Sequence, residues 1–306
     1  MRDLVLFAVA GFAASLVDGA LGMGFGPTSS SILLGSGLAP AAVSTTVNLA
    51  KVATGVVAGV SHWRFRNIDA RLVLKLAIPG CVGAVLGVTI LSNISGATIR
   101  PMLAVLLSVI GIRILFRFAR PSVVQPSENP PSTDPNAVPP YDARGVKVAA
   151  LLGGVTNGMI GAWGPVVNPF LLHRGVRPRF AIGSVNTAEI AVASVSAFSL
   201  IASLGRGGFN VAVVIAMLVG GMLAAPVAAW LIRFVPPRPM GIAVAVLLLL
   251  TNARELATWG KFAAGPWAWT LYLGILSAVA LVLWASRTRG PAPAVGEPTP
   301  QAEVAG

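Results

Sequence analysis

Apolar residues run along this chain in long blocks, and polar residues are largely confined to the short gaps between them. Runs long enough, or nearly so, to cross about 30 Å of hydrocarbon lie near residues 4–21, 40–60, 70–92, 99–118, 145–161, 179–203, 209–233, 239–257 and 266–285. Two shorter apolar pieces, 27–35 and 165–173, each follow a Gly-Pro step and are too short to span. The sequence shows no alternating strand pattern, so it predicts helices and not a membrane barrel.

The pattern lapses twice. Residues 119–143 contain PSVVQPSENPPSTDPNAVPPYD, rich in Pro, Ser and acids, which predicts a flexible linker. Residues 290–306 have a similar composition and predict a disordered tail. The linker divides two stretches that resemble each other. Shifted by 138 positions, Gly26-Pro27 falls on Gly164-Pro165, Leu33-Leu34 on Leu171-Leu172, Gly37 on Gly175, Pro40 on Pro178, Asn48 on Asn186 and Pro101-Met102 on Pro239-Met240. With one residue of slip before the Gly-Pro, Asp18-Gly19 matches Asn157-Gly158 and Gly22 matches Gly161. Duplication is the common architecture of secondary transporters. The predicted fold class is therefore an all-α polytopic membrane protein: two homologous repeats of about four spans each, with broken helices at Gly-Pro, plus a C-terminal span. The predicted boundaries are 1–118 for the first repeat, 119–143 for the linker, 144–257 for the second repeat, 258–289 for the last transmembrane helix and 290–306 for the tail.

Composition agrees with burial in lipid. Of 306 residues 55% are hydrophobic and only 10% charged, where a soluble domain carries roughly a quarter charged. The net charge of +12 is scattered in ones and twos between apolar spans. That suits basic loops on an anionic leaflet better than nucleic-acid binding. Cys81, the only cysteine, rules out an internal disulfide and thiolate metal clusters. No cofactor or metal is expected. The first apolar run resembles a signal peptide in length, but Asp18 and the following glycines continue into further apolar sequence, so it reads as a retained helix. A multi-pass protein of the cell (plasma or inner) membrane is expected.

Orientation is left open by the sequence. With a cytoplasmic N-terminus and four crossings per half, Arg64, Arg66, Arg71, Lys75, Arg117, Arg120, Arg144, Lys147, Arg206, Arg254 and Lys261 obey the positive-inside rule, but Arg174, Arg177, Arg179, Arg233 and Arg238 violate it. An even count makes the halves parallel, whereas the charges of the second half prefer them inverted.

Two constellations carry candidate chemistry. The first is the pair of breaks. Val17-Asp18-Gly19-Ala20-Leu21-Gly22-Met23-Gly24-Phe25-Gly26-Pro27 is followed by Thr28, Ser29, Ser30 and Ser31. Its counterpart, Asn157 to Pro165, has Asn168 just inside. Such breaks free backbone N–H groups at a helix start, which suit an anion. Paired breaks in a duplicated membrane protein point to a substrate site, although glycines also serve tight helix packing. The second constellation is the helix after each break. Ser44, Asn48, Lys51 and Gly55 share one face, and Asn186 and Glu189 take the matching places in the second half. Charges inside a membrane are costly unless paired or hydrated. Lys51 and Glu189 therefore either form a structural ion pair or divide the work, Lys51 meeting an anion and Glu189 handling a proton. The candidate substrate-binding residues are Gly24, Gly26, Thr28, Ser29, Asn48, Lys51, Gly164, Asn168 and Asn186. Asp18 and Glu189 are candidates for coupling or ion pairing. His62 and His173, at the ends of apolar runs, read as interface anchors. Gly22-Met23-Gly24-Phe25-Gly26 lacks the strand and ribose acid of a nucleotide loop.

The run GFAASLVDGALGMGFGPTSSSILLGSGLAPAAVSTTVNLAK, echoed by GVTNGMIGAWGPVVNPFLLHRGVRPRFAIGSVNTAE, resembles the sulfite exporter TauE/SafE family of membrane transporters. The resemblance covers most of residues 4–257. It implies a permease for a small anion, sulfite or another sulfur-containing organic or inorganic anion. Alternating access is the expectation from the paired broken helices, and proton or cation coupling the expectation from Asp18 and Glu189. Homo-oligomerisation stays open. The alternatives are a passive anion channel and an intramembrane enzyme. The enzyme lacks support from any GxSxG, HExxH or recognisable pair of intramembrane aspartates.

Overall fold

The computed structural model describes residues 2–21, 23–119, 141–205, 209–231, 237–260 and 267–288. Most of the expected linker and the whole of the expected tail lie outside them. Every described regular element is an α-helix: α1 (Arg2–Leu21), α2 (Phe25–Gly35), α3 (Pro40–Arg64), α4 (Ala70–Asn93), α5 (Gly96–Ala119), α6 (Val146–Ile160), α7 (Gly164–His173), α8 (Pro178–Leu204), α9 (Val211–Leu231), α10 (Pro237–Trp259) and α11 (Trp267–Thr288). Among the described residues, six helices are long and apolar enough to cross a membrane: α3, α4, α5, α8, α10 and α11. The apolar portions of α1, α6 and α9 are shorter. This is an all-helical protein with several membrane spans.

Local signals place the helix ends. Pro40 and Pro178 open α3 and α8, where a missing N–H costs nothing and φ is already set. Asp69 caps α4 by accepting from the Arg71 N–H at 2.9 Å. Gly161, in the left-handed region at φ +69, closes α6, and its N–H returns to the Asn157 carbonyl at 2.7 Å.

The packing fixes the relative direction of the two halves. Arg100, early in α5, donates to the Gly37 and Leu38 carbonyls at 2.8 Å each and lies 3.7 Å from Glu255, late in α10. Arg238, at the start of α10, donates to the carbonyls of Phe118 and Ala119, at the end of α5. Thus α5 and α10 are antiparallel. So are α3 and α8, with His62 beside Asn186 and Lys51 beside Glu189. By contrast α4 and α6 run parallel: Gly154 lies against the Gly80 backbone and Gly158 against that of Ala84. Likewise α1 and α9 run parallel, Gly11 meeting Met217 and Gly221 meeting Ser15.

The chain order follows from these pairs. Helix α1 rises from one face, α2 turns back toward it, and α3, α4 and α5 then cross three times. Helices α6 to α10 do the same in the opposite sense. The odd number of crossings brings most of the described loop charges of both halves onto one face. Arg254, expected there, lies instead late in α10 on the opposite face with Arg100, and Arg120, Arg206, Arg233 and Lys261 lie outside the described residues. The ends of α3 and α5 and the starts of α4, α6, α8 and α10 all share one face. That face carries Arg64, Arg66, Arg71, Lys75, Arg117, Arg144, Lys147, Arg174, Arg177, Arg179 and Arg238. Tyr141 and Asp142 join it: the Tyr141 hydroxyl donates to Asp69 at 3.2 Å, and Asp142 pairs with Arg174. Two apolar clusters fill the interior. One is built around Leu33, Val47, Leu103 and Met217, the other around Leu72, Leu76, Trp163 and Phe180.

Candidate functional site

The two breaks meet at the centre of the molecule. A Cβ on Gly26 would sit 1.8 Å from the Gly161 carbonyl oxygen, and one on Gly164 would sit 3.1 Å from the Met23 Cα. No side chain fits between backbones so close, which is the physical reason glycine stands at Gly26. Ser30 crosses the same seam, donating from its hydroxyl to the Ile160 carbonyl at 2.7 Å.

Each break ends its helix differently. In the first half the Asp18 carboxylate accepts from the N–H groups of Gly24 at 2.9 Å and Phe25 at 3.2 Å. The positive start of α2 is thus already satisfied by a carboxylate of the chain. In the second half Asn157 stands where Asp18 would be and turns elsewhere. No side chain of the N-cap residue, Trp163, serves the start of α7. Trp163 is fully buried and donates from its indole N–H to the Val185 carbonyl at 3.1 Å.

A buried polar network crosses this junction. Lys51 Nζ donates to Glu189 Oε1, to the Gly161 carbonyl at 2.6 Å and to Asn157 Oδ1 at 3.3 Å. Asn157 Nδ2 donates to Asn48 Oδ1 at 2.7 Å and to the Ser196 hydroxyl at 3.0 Å. Asn48 Nδ2 in turn donates to the Ser44 and Asn157 carbonyls, and the Ser44 hydroxyl donates to the Gly158 carbonyl at 2.7 Å. The Lys51 and Glu189 side chains are 7% and 17% exposed, so their charges face each other largely away from water. In that setting a pair holds only when its remaining donors and acceptors are satisfied, and all three Lys51 donors are.

The structure therefore gathers Asp18, Gly24, Gly26, Asn48, Lys51, Gly164 and Glu189 at one crossing. Thr28, Ser29 and Asn168 are buried in the first turns of α2 and α7. The Ser29 hydroxyl donates back to the Phe25 carbonyl at 2.5 Å, and Thr28 Oγ1 is buried with no hydrogen-bond partner. Asn186 stands apart, 3.4 Å from His62 Nε2. Sequence reasoning passed over Asn157 as a network centre and Ser196 altogether. Asn157 was visible as the counterpart of Asp18. Ser196 offered no signal beyond a serine in an apolar helix.

A cavity of about 580 Å³ opens beside the junction, between α5 and α7. Arg113, Arg117 and His173 line it together with apolar side chains, and Met23 and Pro165 bring it to the two breaks. None of the residues lining it is acidic.

The profile of the family described as Sulfite exporter TauE/SafE matches residues 7–254. The chain is 37% identical over 287 residues to the "Probable membrane transporter protein YtnM" of Bacillus subtilis (strain 168), a match covering 92% of this chain and 93% of that protein. No solved structure matches. With the matched profile spanning both breaks, Lys51 and Glu189, the chain belongs to the sulfite exporter TauE/SafE family.

Proposed function

We propose that this chain is a membrane permease for a small anion, and that the crossing of its two broken helices is the substrate site. The observation that carries the reading is the Lys51–Glu189 pair. A buried cation of one half is held by an acid of the other, at the place where two unwound backbones touch. Burying such a pair costs desolvation that packing alone does not require. An anion arriving at Lys51 competes with the Glu189 carboxylate. Once displaced, Glu189 can take a proton, which couples anion movement to protons. Because Lys51 belongs to α3 and Glu189 to α8, breaking their contact frees the halves to rock, as alternating access requires. The substrate class suggested by the family is a sulfur-containing organic or inorganic anion, sulfite among them.

The shared basic face supports a cytoplasmic placement of that face by the positive-inside rule, in the cell membrane. The start of α1 then lies on the outer side.

Flux through proteoliposomes tests the reading. A panel of labelled small anions, sulfite included, is followed with and without a pH gradient. Saturable flux that responds to the gradient is expected. Unsaturable flux indifferent to the gradient would favour a channel, and no movement of any anion at any pH would defeat the proposal.

A further inference from the structure

The cavity between α5 and α7 plays no part in the network around Lys51, and its chemistry differs from its surroundings. Arg117 and Arg113 stand one turn apart on α5, and His173 ends α7. They sit toward the basic face. Arg117 reaches the first break directly, its Nη1 3.5 Å from Met23 Sδ, while Ile110, Leu106 and Val166 form an apolar wall and Pro165 brings in the second break. The floor is thus the pair of breaks behind which Gly161 holds Lys51.

The corresponding place in the other half is closed. Helix α2 packs directly on α10, with Asn252 Nδ2 donating to the Ser31 hydroxyl at 2.8 Å. Adding 138 takes Arg113 to Thr251 and Arg117 to Glu255, so the basic pair has no counterpart there. Arg117 ends α5 at the basic face, and Arg113 stands one turn further into the apolar helix, where a charge is expensive without a partner or water.

We propose that this cavity is an anion-receiving vestibule that takes an organic anion with an apolar body. Its acid group meets Arg113, Arg117 and His173, and its body lies along Ile110, Leu106 and Val166. The inference deepens the transport reading and rests on it for the direction in which the anion is passed on. The volume is that of a small-molecule site, and a bare oxyanion would fill little of it while leaving the apolar wall wet. Val109, which also lines the cavity, is 48% exposed on the outer side of α5. The same chemistry, an acid group on an apolar body, is therefore also offered by an anionic phospholipid, and the test separates the two sources.

The test uses the full chain in Cys81→Ala background with Ile110→Cys, checked for a monodisperse size-exclusion peak. Val166→Cys serves if that variant fails to fold. Labelling is compared between an anionic sulfonatoethyl and a cationic trimethylammonioethyl methanethiosulfonate, in nanodiscs of phosphatidylcholine with and without phosphatidylglycerol. The anionic reagent is expected to react at least about tenfold faster, a basic cleft concentrating anions by that order. Arg113→Gln with Arg117→Gln should erase the preference. Hexanoate should slow labelling at concentrations where sulfate, an oxyanion that does not react with the reagents, does not. Equal rates for both reagents, or a preference that survives both substitutions, would overturn the vestibule. Protection by phosphatidylglycerol but by no free anion would replace it with a lipid headgroup site. Sulfate protecting better than hexanoate would overturn the apolar-body part. Since labelling needs no flux, absent transport with the expected labelling refutes the transport reading alone.

Discussion

Removing one member of the Lys51–Glu189 pair leaves the other charged, buried and short of a partner. In Glu189→Gln, Lys51 keeps the Gly161 carbonyl and Asn157 Oδ1 but loses its counter-charge. Breaking a buried pair from one side costs about 3–5 kcal/mol. For a chain of this size each kcal/mol moves Tm by about 2 °C, so the single variant should melt roughly 6–10 °C lower. Lys51→Met should fall similarly, because it strands Glu189, which is 17% exposed. The double variant Lys51→Met with Glu189→Gln leaves no buried charge, and its Tm should recover at least half of either single loss. Transport should not recover, since the anion has lost its cation. The assay is thermal unfolding in detergent beside flux in proteoliposomes for the four proteins. Additive Tm losses, or single variants within 2 °C of wild type, would refute the buried-pair reasoning. Restored flux in the double variant would show the pair to be structural only.

Other consequences follow from single contacts. Gly26→Ala drives a Cβ into the Gly161 carbonyl and should abolish a monodisperse size-exclusion peak, while Gly35→Ala, with nothing within 4 Å, should be neutral. Asp18→Ala uncaps the Gly24 and Phe25 N–H groups and should cost about 1–2 kcal/mol by thermal unfolding; an unchanged Tm would mean that water replaces the cap. Burial, then the neighbouring Asp69 carboxylate, push the Tyr141 hydroxyl up to about 12. Its contribution to stability is therefore intact below about pH 10 and lost as pH climbs through 12. In a Tyr272→Phe background, phenolate absorbance should titrate near 12 and move down in Asp69→Asn; an unmoved midpoint would disprove the Asp69 effect. The Arg144 N–H, then the Arg174 guanidinium, hold the exposed Asp142 carboxyl below its ordinary value. What that pair contributes is present above about pH 4 and lost as pH falls through the lowered value, visible as acid-induced release in hydrogen exchange of residues 141–145. A cysteine placed at Ser132, between the end of α5 and the start of α6, should resist impermeant reagents in intact cells.

Much of the fold was legible because lipid imposes a coarse rule, long apolar helices with polar gaps, and the Gly-Pro steps interrupt it twice. Lys51 and Glu189 were legible for a related reason: charges deep in apolar runs stand out, and their matched positions suggested a meeting that the structure contains. Direction was not legible. Hydropathy gives the length of α1 and α2 but not that α2 turns back, so the crossing count came out even. Asn186 shows the limit of matching by register. Helices α3 and α8 cross antiparallel near Lys51 and Glu189, so moving one turn along α8 from Glu189 brings Asn186 to His62 and not to Asn48. Asn48 finds Asn157 instead. Arg113 escaped because its meaning comes from an empty space beside α7, and a gap between helices leaves no pattern in either one.

The most direct test of a central anion site is tracer efflux from proteoliposomes containing equal amounts of folded wild-type, Lys51→Ala and Lys51→Arg protein, with the anion that the wild type moves fastest. The account predicts saturable efflux in the wild type, loss of at least about tenfold in Lys51→Ala and partial retention in Lys51→Arg. Efflux from Lys51→Ala at the wild-type rate would contradict it.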